Sequence, residues 1–224
     1  MEYSTPDGKG GPHVFVEDLE NPLLDDADRH HLQRVLRLRA GDPLTVSDGH
    51  GRWVEARFGT ALETTSEIHV SERLLPLAAV GFTPVKGDRP EWTVQKLTEI
   101  GVDRIIVLRS DRSVVRWEGE RAEKALSRLR LVAREAAMQS RRCWLPTLEG
   151  ICPALEVMAQ PSVARAERGG GRPTVLPETI VVGPEGGWSE REVEALSVTV
   201  GLGDYVLRAE TAALVAAVYL VGQR

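Results

Sequence analysis

The stretch Gly183-Pro184-Glu185-Gly186-Gly187 follows a short apolar run, and a second stretch, Leu207-Arg208-Ala209-Glu210-Thr211-Ala212, comes about twenty residues later. Each stretch leads into the start of a predicted helix. Glycine has no Cβ, so a ligand can approach the main chain closely at such turns. Gly201 and Gly203 come just before the second stretch, so both turns contain glycine. Two turns of this kind near each other in the chain predict one ligand pocket whose walls are made largely of backbone.

Each stretch taken alone also has an ordinary structural interpretation. Ser189 and Glu192 form the S-x-x-E pattern of a helix start, so the first stretch could be only a strand–turn–helix joint. Glu210 could be only a helix N-terminal charge, worth about 0.3–1 kcal/mol, with Arg208 as its ion partner. The glycines do not match the dinucleotide fingerprint, and the P-loop lysine is missing, so neither of those nucleotide sites is predicted.

Composition restricts the class of protein. The 224 residues are 42% hydrophobic and 27% charged, which is typical of a globular protein. No apolar run approaches the roughly 20 residues of a membrane span, and a basic-then-apolar leader is missing from the N-terminus, so we expect a cytoplasmic location and no membrane partner. Cys143 and Cys152 do not have the spacing of metal ligands, and we expect no metal.

Charge is distributed unevenly along an acidic chain of net charge −5. Residues 1–74 contain 8 Lys and Arg against 14 Asp and Glu, whereas residues 104–142 contain 11 against 5. The planar arginine fork suits phosphate, so the second segment is a candidate nucleic-acid surface. A solvated helix face in an arginine-rich chain explains the same pattern, and both interpretations stay open.

The spacing of apolar residues changes near residue 75 and predicts two domains, 1–74 and 75–224. The pattern of the first domain predicts short strands and one helix, which is typical of a compact β-barrel module. Its predicted strands are 13–16, 43–47, 51–58 and 66–73, and its predicted helix is 25–38.

Strands alternate with helices in the second domain, which predicts a parallel α/β sheet. Residues 160–177 are rich in Gly, Arg and Pro without periodicity, so we predict a flexible surface loop there. A further short strand is predicted at 205–207, before an all-apolar helix that is buried or packs against another subunit. The other predicted elements are strands at 80–85, 104–108 and 179–182 and helices at 91–101 and 118–138.

Several motifs occur together in the order found in one known family. They include His30-His31-Leu32, Lys86-Gly87-Asp88-Arg89, Gln95-Lys96-Leu97-Thr98-Glu99-Ile100-Gly101-Val102, Arg112-Ser113-Val114 and Glu135-Ala136-Ala137-Met138-Gln139-Ser140, followed by the two C-terminal stretches. Over nearly its whole length the chain resembles the RsmE family of SPOUT-class methyltransferases. The resemblance implies an α/β fold with an N-terminal PUA-like β-barrel and a C-terminal domain with a mostly parallel sheet and a deep trefoil knot, a known exception to unthreaded topology.

The resemblance also implies an activity. The family uses S-adenosyl-L-methionine to methylate N3 of a specific uridine in 16S rRNA, and it works as a homodimer. We therefore expect an rRNA uridine-N3 methyltransferase whose substrate is 16S rRNA, within an assembled small ribosomal subunit. Two alternatives remain: a SPOUT methyltransferase acting on another RNA such as tRNA, and a catalytically silent RNA-binding protein of ribosome assembly.

Roles for individual residues follow from placing the family's pocket on this sequence. Uracil N3 is protonated at neutral pH, so a base, or a cation that stabilises the uracil anion, should lie near the methyl group. Arg208 is the predicted stabilising or orienting group, and Glu210 or Glu185 orients it or relays the proton. The predicted cofactor-binding residues are Val182, Gly183, Pro184, Glu185, Gly186, Gly187, Leu202, Gly203, Leu207, Arg208, Thr211 and Ala212.

RNA contacts are expected from basic side chains in both domains, with affinity that falls steeply as salt rises. The predicted RNA-binding residues are His13, Arg34, Arg37, Lys86, Arg112, Arg121, Lys124, Arg128, Arg134, Arg141 and Arg142.

Overall fold

The computed structural model describes residues 5–224. The chain forms two compact units: the described part of Met1–Arg73 together with Ala137–Leu145, and Leu74–Ala136 together with Pro146–Arg224. The predicted division into 1–74 and 75–224 did not anticipate that residues 137–145 group with the first unit. Within the described residues, no helix has the length and apolar character needed to cross a membrane.

The first unit contains a five-stranded sheet. Strands β1 to β4 are hydrogen-bonded in sequence order, and β5 also pairs with β3. The β1–β2 pair is parallel and the other pairs are antiparallel. Apolar side chains such as Val14, Leu44, Val46 and Val54 form its core. The strands are β1 (His13–Phe15), β2 (Pro43–Ser47), β3 (Arg52–Arg57), β4 (Glu63–Thr64) and β5 (His69–Val70).

The helix of this unit is shorter than predicted. Helix α1 spans Asp26–His30 and continues as one π-helical segment, His31–Val35, instead of running to residue 38. Asp25 caps its start by accepting a hydrogen bond from the Asp28 amide at 2.7 Å. Arg37 adopts a positive φ of 58°, a left-handed conformation that ends any right-handed helix.

The second unit is built on a six-stranded sheet in which every pair is parallel. Its strand order is β11-β9-β10-β6-β7-β8. The strands are β6 (Ala79–Phe82), β7 (Arg104–Arg109), β8 (Thr147–Pro153), β9 (Val163–Ala166), β10 (Thr179–Val182) and β11 (Thr199–Val200). The helices are α2 (Arg89–Ile100), α3 (Gly119–Gln139), α4 (Ala154–Met158), α5 (Glu190–Ala195) and α6 (Ala209–Val221).

Both faces of this sheet are covered, as a parallel sheet requires. Ile105 and Ile180 join one apolar cluster together with residues of α2, α3 and α6. Their neighbours Ile106 and Val181 point the other way and join a second cluster with α4 and Trp188. The nearly unbroken apolar runs of the central strands therefore reflect burial on two sides.

Two predictions for the second unit are wrong. The supposed loop 160–177 contains β9, which is buried and parallel to its neighbours β10 and β11. Arg165 lies inside this strand at 4% exposure and pairs with Glu167. The strand predicted at 205–207 is not formed; β11 ends at Val200, and the chain from 201 to 208 is irregular.

Candidate active site

A cavity of about 540 Å³ lies at the carboxyl ends of β9 and β10. Open parallel sheets bind ligands at this edge, and the volume falls in the range of cofactor pockets. Ten of the twelve predicted cofactor-binding residues line it: Val182, Gly183, Pro184, Glu185, Gly187, Leu202, Gly203, Leu207, Arg208 and Ala212. Gly186 and Thr211 do not line it.

The sequence-based prediction missed several lining residues. Ala166, Glu167 and Arg168 come from the end of β9, the segment that the composition had marked as a surface loop. Trp188 directly follows the glycine-rich turn. Its position there, as a large aromatic residue, could have indicated that it lines the pocket. The remaining ones are Val193, Tyr205, Val206 and Ala209.

The first loop, residues 183–187, requires glycine at two points, once for space and once for backbone conformation. A Cβ on Gly183 would lie 2.7 Å from the indole ring of Trp188, so the side chain of Trp188 occupies the space that glycine leaves open. Gly187 has a positive φ of 71° and closes a turn through a 2.9 Å hydrogen bond from its amide to the Pro184 carbonyl. The loop is therefore a tight turn with an exposed main chain.

Glu192 anchors the helix that follows this loop. The predicted capping box is present: the Ser189 hydroxyl accepts from the Glu192 amide, and the Glu192 carboxylate accepts from the Ser189 amide. The same carboxylate, 1% exposed, also accepts from the Ser110 hydroxyl at 3.2 Å and the Asp111 amide at 3.0 Å. These bonds tie the start of α5 to the loop after β7.

Arg112 and Asp111 strengthen this connection. Arg112 donates from Nη1 to the Gly186 carbonyl at 3.2 Å. Asp111 accepts from the Ser189 hydroxyl at 2.6 Å, and this hydrogen bond is the main cause of the lowered pKa of Asp111. The first loop is thus held from two sides by residues distant in sequence.

The second loop, residues 201–208, has a different environment. Tyr205 is 83% exposed and Val206 is 76% exposed. Between residues 202 and 207, no main-chain or side-chain group makes a hydrogen bond to another described residue. Main-chain N–H and C=O groups normally require partners, so those of this loop are available to a ligand.

Charged side chains at the two loops do not pair as predicted. We expected Glu185 or Glu210 to orient Arg208, but both carboxylates face Arg89. Nη1 of Arg89 lies 3.6 Å from Oε1 of Glu185 and 3.5 Å from Oε1 of Glu210. Arg208 is exposed, lines the cavity and has no ion pair with any residue in the described range.

The second carboxylate oxygen of Glu210 lies buried without a partner. Glu210 occupies the first turn of α6, and its side chain is 11% exposed. Oε1 faces Arg89, whereas Oε2 is buried and has no hydrogen-bond partner among residues 5–224. A buried acceptor without a donor is costly, and a ligand that donates a hydrogen bond there would relieve that cost.

The predicted RNA-binding residues fall into distinct groups. Most are exposed: Arg34 and Arg37 in the first unit, and Lys86, Arg112, Arg121, Lys124 and Arg128 in the second. Arg134 and Arg142 are half-buried. Arg141 donates to the carbonyls of Gly8 and Gly11, so its guanidinium is already hydrogen-bonded to backbone of the first unit.

His13 is wrongly predicted as an RNA contact. It is 3% exposed, with Nδ1 at 2.8 Å from the Thr45 hydroxyl. Burial lowers its pKa to about 4, so the ring is neutral near pH 7 and is no partner for phosphate. No cluster of three potential metal ligands occurs among the residues that the structure describes.

Comparisons with known proteins agree with this architecture. Residues 74–221 match an RNA methyltransferase domain family, and residues 24–60 match an RNA methyltransferase PUA domain family. The chain is 33% identical to ribosomal RNA small subunit methyltransferase E of Mycobacterium bovis, covering 87% of this chain and 83% of the relative. It is 32% identical to the protein of that name from Bacillus subtilis, covering 90% of each.

A solved structure shares the fold over almost the full length. It is a ribosomal RNA small subunit methyltransferase E from Neisseria gonorrhoeae bound to S-adenosyl methionine. The two chains are 27% identical, with a TM-score of 0.80 over 95% of this chain and 97% of the other.

Proposed function

The chain belongs to the ribosomal RNA small subunit methyltransferase E family, and we propose that it transfers a methyl group from S-adenosyl-L-methionine to N3 of one uridine in 16S rRNA. It is an S-adenosylmethionine-dependent RNA methyltransferase. The observation that carries the specific proposal is the cavity between the two loops, with the unpaired Arg208 at its wall.

The cavity suits the cofactor in size and in chemistry. Its walls combine apolar side chains, such as Val182, Leu202 and Ala212, with the exposed main chain of both loops. Unpaired amides and carbonyls between 202 and 207 provide the donors and acceptors that the edge of adenine needs. When bound, the cofactor supplies an electrophilic methyl group attached to a positively charged sulfur.

Glu210 is the proposed acceptor of the uracil N3 proton. Glu210 does not itself line the cavity, but the preceding residues Arg208 and Ala209 do. Oε2 of Glu210 has no hydrogen-bond partner among residues 5–224, so a base N–H that reaches it gains a full hydrogen bond. Arg89 compensates the charges of Glu210 and Glu185, because its guanidinium lies between the two. Removing the N3 proton makes the nitrogen a nucleophile that can attack the methyl group.

Arg208 is the proposed electrostatic stabiliser. Loss of the N3 proton places negative charge on the uracil oxygens, and an unpaired guanidinium at the cavity wall can donate to one of them. A guanidinium already paired with a carboxylate would stabilise the uracil anion less. Because Glu185 and Glu210 both pair with Arg89, Arg208 stays free to do so. Alignment of base and methyl group provides the rest of the acceleration.

RNA would bind to the exposed basic face of α3. Arg121, Lys124 and Arg128 recur at helical spacing and are all exposed. Arg128 also forms an ion pair with Glu91, Nε to Oε2, at 3.1 Å. The proposal assigns 16S rRNA in an assembled small subunit as the substrate.

The proposal also covers the assembly and the cellular location. Two copies would form a homodimer through α6, whose residues are almost all apolar and whose Val218 is 58% exposed. The location would be the cytoplasm, where ribosomes assemble. A closed barrel in the first unit and a trefoil knot in the second belong to the same proposal.

The test uses small ribosomal subunits from a strain that lacks this gene. The particles are incubated with purified protein and labelled S-adenosylmethionine, and the modified nucleoside is mapped by mass spectrometry. We expect 3-methyluridine at a single position of 16S rRNA. Methylation of tRNA instead would replace the substrate, and failure to bind the cofactor would favour a silent RNA-binding protein.

A further inference from the structure

A second cavity, of about 360 Å³, lies at the carboxyl ends of β7 and β8. It therefore opens at the same edge of the sheet as the first cavity, where parallel sheets place ligands. None of the predicted site residues line it. Its lining includes Arg109 at the end of β7, Arg116 and Glu118 in the following loop, Pro153 at the end of β8, and Arg191 and Glu192 of α5.

Two of its three arginines are uncommitted. Arg191 pairs with Asp111, Nη2 to Oδ1, at 2.8 Å. Arg109 and Arg116 are exposed and make neither an ion pair nor a side-chain hydrogen bond to any residue from 5 to 224. Two unpaired guanidinium groups in one concavity form an anion site, and the guanidinium fork matches phosphate geometry.

The carboxylates of this cavity also differ in whether they already have hydrogen-bond or ion-pair partners. Glu192 is buried and fully engaged by the hydrogen bonds that hold α5, and Asp111 is engaged by Ser189 and Arg191. Glu118 is exposed, and its carboxylate makes no ion pair within the described residues. A carboxylate next to an anion site suits a ribose, because its oxygens can accept a hydrogen bond from a sugar hydroxyl.

The first turn of α5 separates the two cavities. Trp188 and Val193 line the first cavity, whereas Arg191 and Glu192 line the second. The distance between the cavities is therefore about one helix diameter, on the order of 10 Å. The loop after β7 lines the second cavity, and it also holds the 183–187 loop beside the first cavity through the hydrogen bond from Arg112 to the Gly186 carbonyl.

We propose that the second cavity binds a backbone phosphate of the RNA substrate, close to the nucleotide whose base enters the first cavity, through Arg109 and Arg116. The proposal rests on the function proposed above, because it assumes that the first cavity is the methyl-transfer site. Phosphate contacts position RNA without reading its sequence, so these arginines act on substrate affinity and register. Glu118 accepts a hydrogen bond from the adjoining ribose.

The test compares the Arg109→Gln/Arg116→Gln double variant with an Arg39→Gln/Arg172→Gln control. The control removes the same charge from exposed arginines that line neither cavity. Binding of a labelled 16S rRNA fragment is measured over a range of salt concentrations, and methylation of small subunits gives KM and kcat. Calorimetry with S-adenosylmethionine provides the independent measurement of the first cavity.

We expect the double variant to bind the rRNA fragment about 10- to 100-fold more weakly, the factor for charge-assisted hydrogen bonds. The slope of log affinity against log salt should become shallower by about 1, while the control changes little. KM for small subunits should rise. The kcat at saturating substrate and the affinity for the cofactor should stay unchanged. Equal RNA affinity and equal salt slope in the double variant and the control would overturn the proposal.

Two further outcomes separate this inference from the proposed function. If wild-type protein methylates no small subunit, the proposed function fails, and RNA binding by the two variants still decides whether the cavity holds RNA phosphate. Inorganic phosphate tests the other source of the same chemistry. Tight binding of inorganic phosphate that is lost in the double variant, with RNA affinity unchanged, would assign the site to a free phosphate compound and overturn the RNA assignment.

Discussion

The two loops that enclose the first cavity differ in what holds them. Residues 183–187 lead into a capping box, and the buried Glu192 carboxylate fastens that helix to the loop after β7. Residues 202–207 make no hydrogen bond to another described residue, and helix α6 begins at an Arg208 cap without a side-chain hydrogen bond. One wall is fixed before a ligand arrives, and the other keeps its main chain available.

This difference indicates that the two loops have different roles in the site. The fixed loop determines where the pocket is, because its position follows from strand β10 and from Glu192. The available loop contributes main-chain donors and acceptors together with Arg208. We therefore expect cofactor binding and methyl transfer to depend mainly on the second loop, and stability to depend mainly on the first.

Replacement of Arg208 should have the largest effect. We expect Arg208→Ala to lower kcat by about 10²- to 10³-fold, the typical cost of removing one donor to a developing anion. Affinity for S-adenosylmethionine should be largely retained, because the proposed contacts to the cofactor are made by main-chain groups. Single-turnover methylation and calorimetry on the same preparation provide the two measurements.

The matched control for Arg208 is Arg168→Ala, another arginine that lines the same cavity but on the β9 side. It should lose much less kcat than Arg208→Ala. Wild-type turnover in Arg208→Ala would remove this residue from the mechanism.

Replacement of Glu192 should have the second largest effect, on stability. Glu192→Ala leaves the buried Ser110 hydroxyl and the partly buried amides of Asp111 and Ser189 without this acceptor, which should lower the free energy of unfolding by about 1–3 kcal/mol. Urea unfolding measures the change. Glu190→Ala, at an exposed position in the first turn of the same helix, is the control and should change stability much less.

Cofactor affinity sharpens this second prediction. Glu192 does not line the first cavity, so any loss of S-adenosylmethionine affinity in Glu192→Ala reports the position of the 183–187 loop. An unchanged unfolding curve would show that the first loop is not held as described.

Replacement of Tyr205 should have the smallest effect. The side chain is 83% exposed, and surface substitutions of this kind usually change stability by less than about 0.5 kcal/mol. We also expect Tyr205→Ala to keep most of its cofactor affinity, since the proposed contacts of this loop are main-chain groups. Calorimetry and thermal unfolding check both statements. A large loss of affinity would mean that side chains, not backbone, recognise the ligand.

Local signals explain the parts of the structure that the sequence predicted. The start of α5 depends on Ser189 and Glu192, which are close in the chain and specify their own cap. Strand β10 was predicted at its observed bounds, Thr179–Val182, because it is apolar on both faces. The two loops predicted a pocket, and the family resemblance supplied the individual residues, ten of which line the observed cavity.

Long-range contacts explain what was missed. Strand β9 is short and contains Arg165, and only its two neighbouring strands make it a strand. The β-rich residues 205–207 have no strand to pair with, so propensity alone gave a wrong prediction. Arg89 reaches Glu185 and Glu210 across large sequence separations, and the spacing of charges along the chain does not reveal that arrangement.

Hydrogen exchange with and without S-adenosylmethionine tests the central claim most directly. We predict that the amides between 202 and 207 exchange rapidly in the free protein and slow markedly when the cofactor binds. Those between 183 and 187 should change less, because that loop is already held. Cofactor binding without slower exchange at 202–207 would contradict the claim that this loop's main chain completes the site.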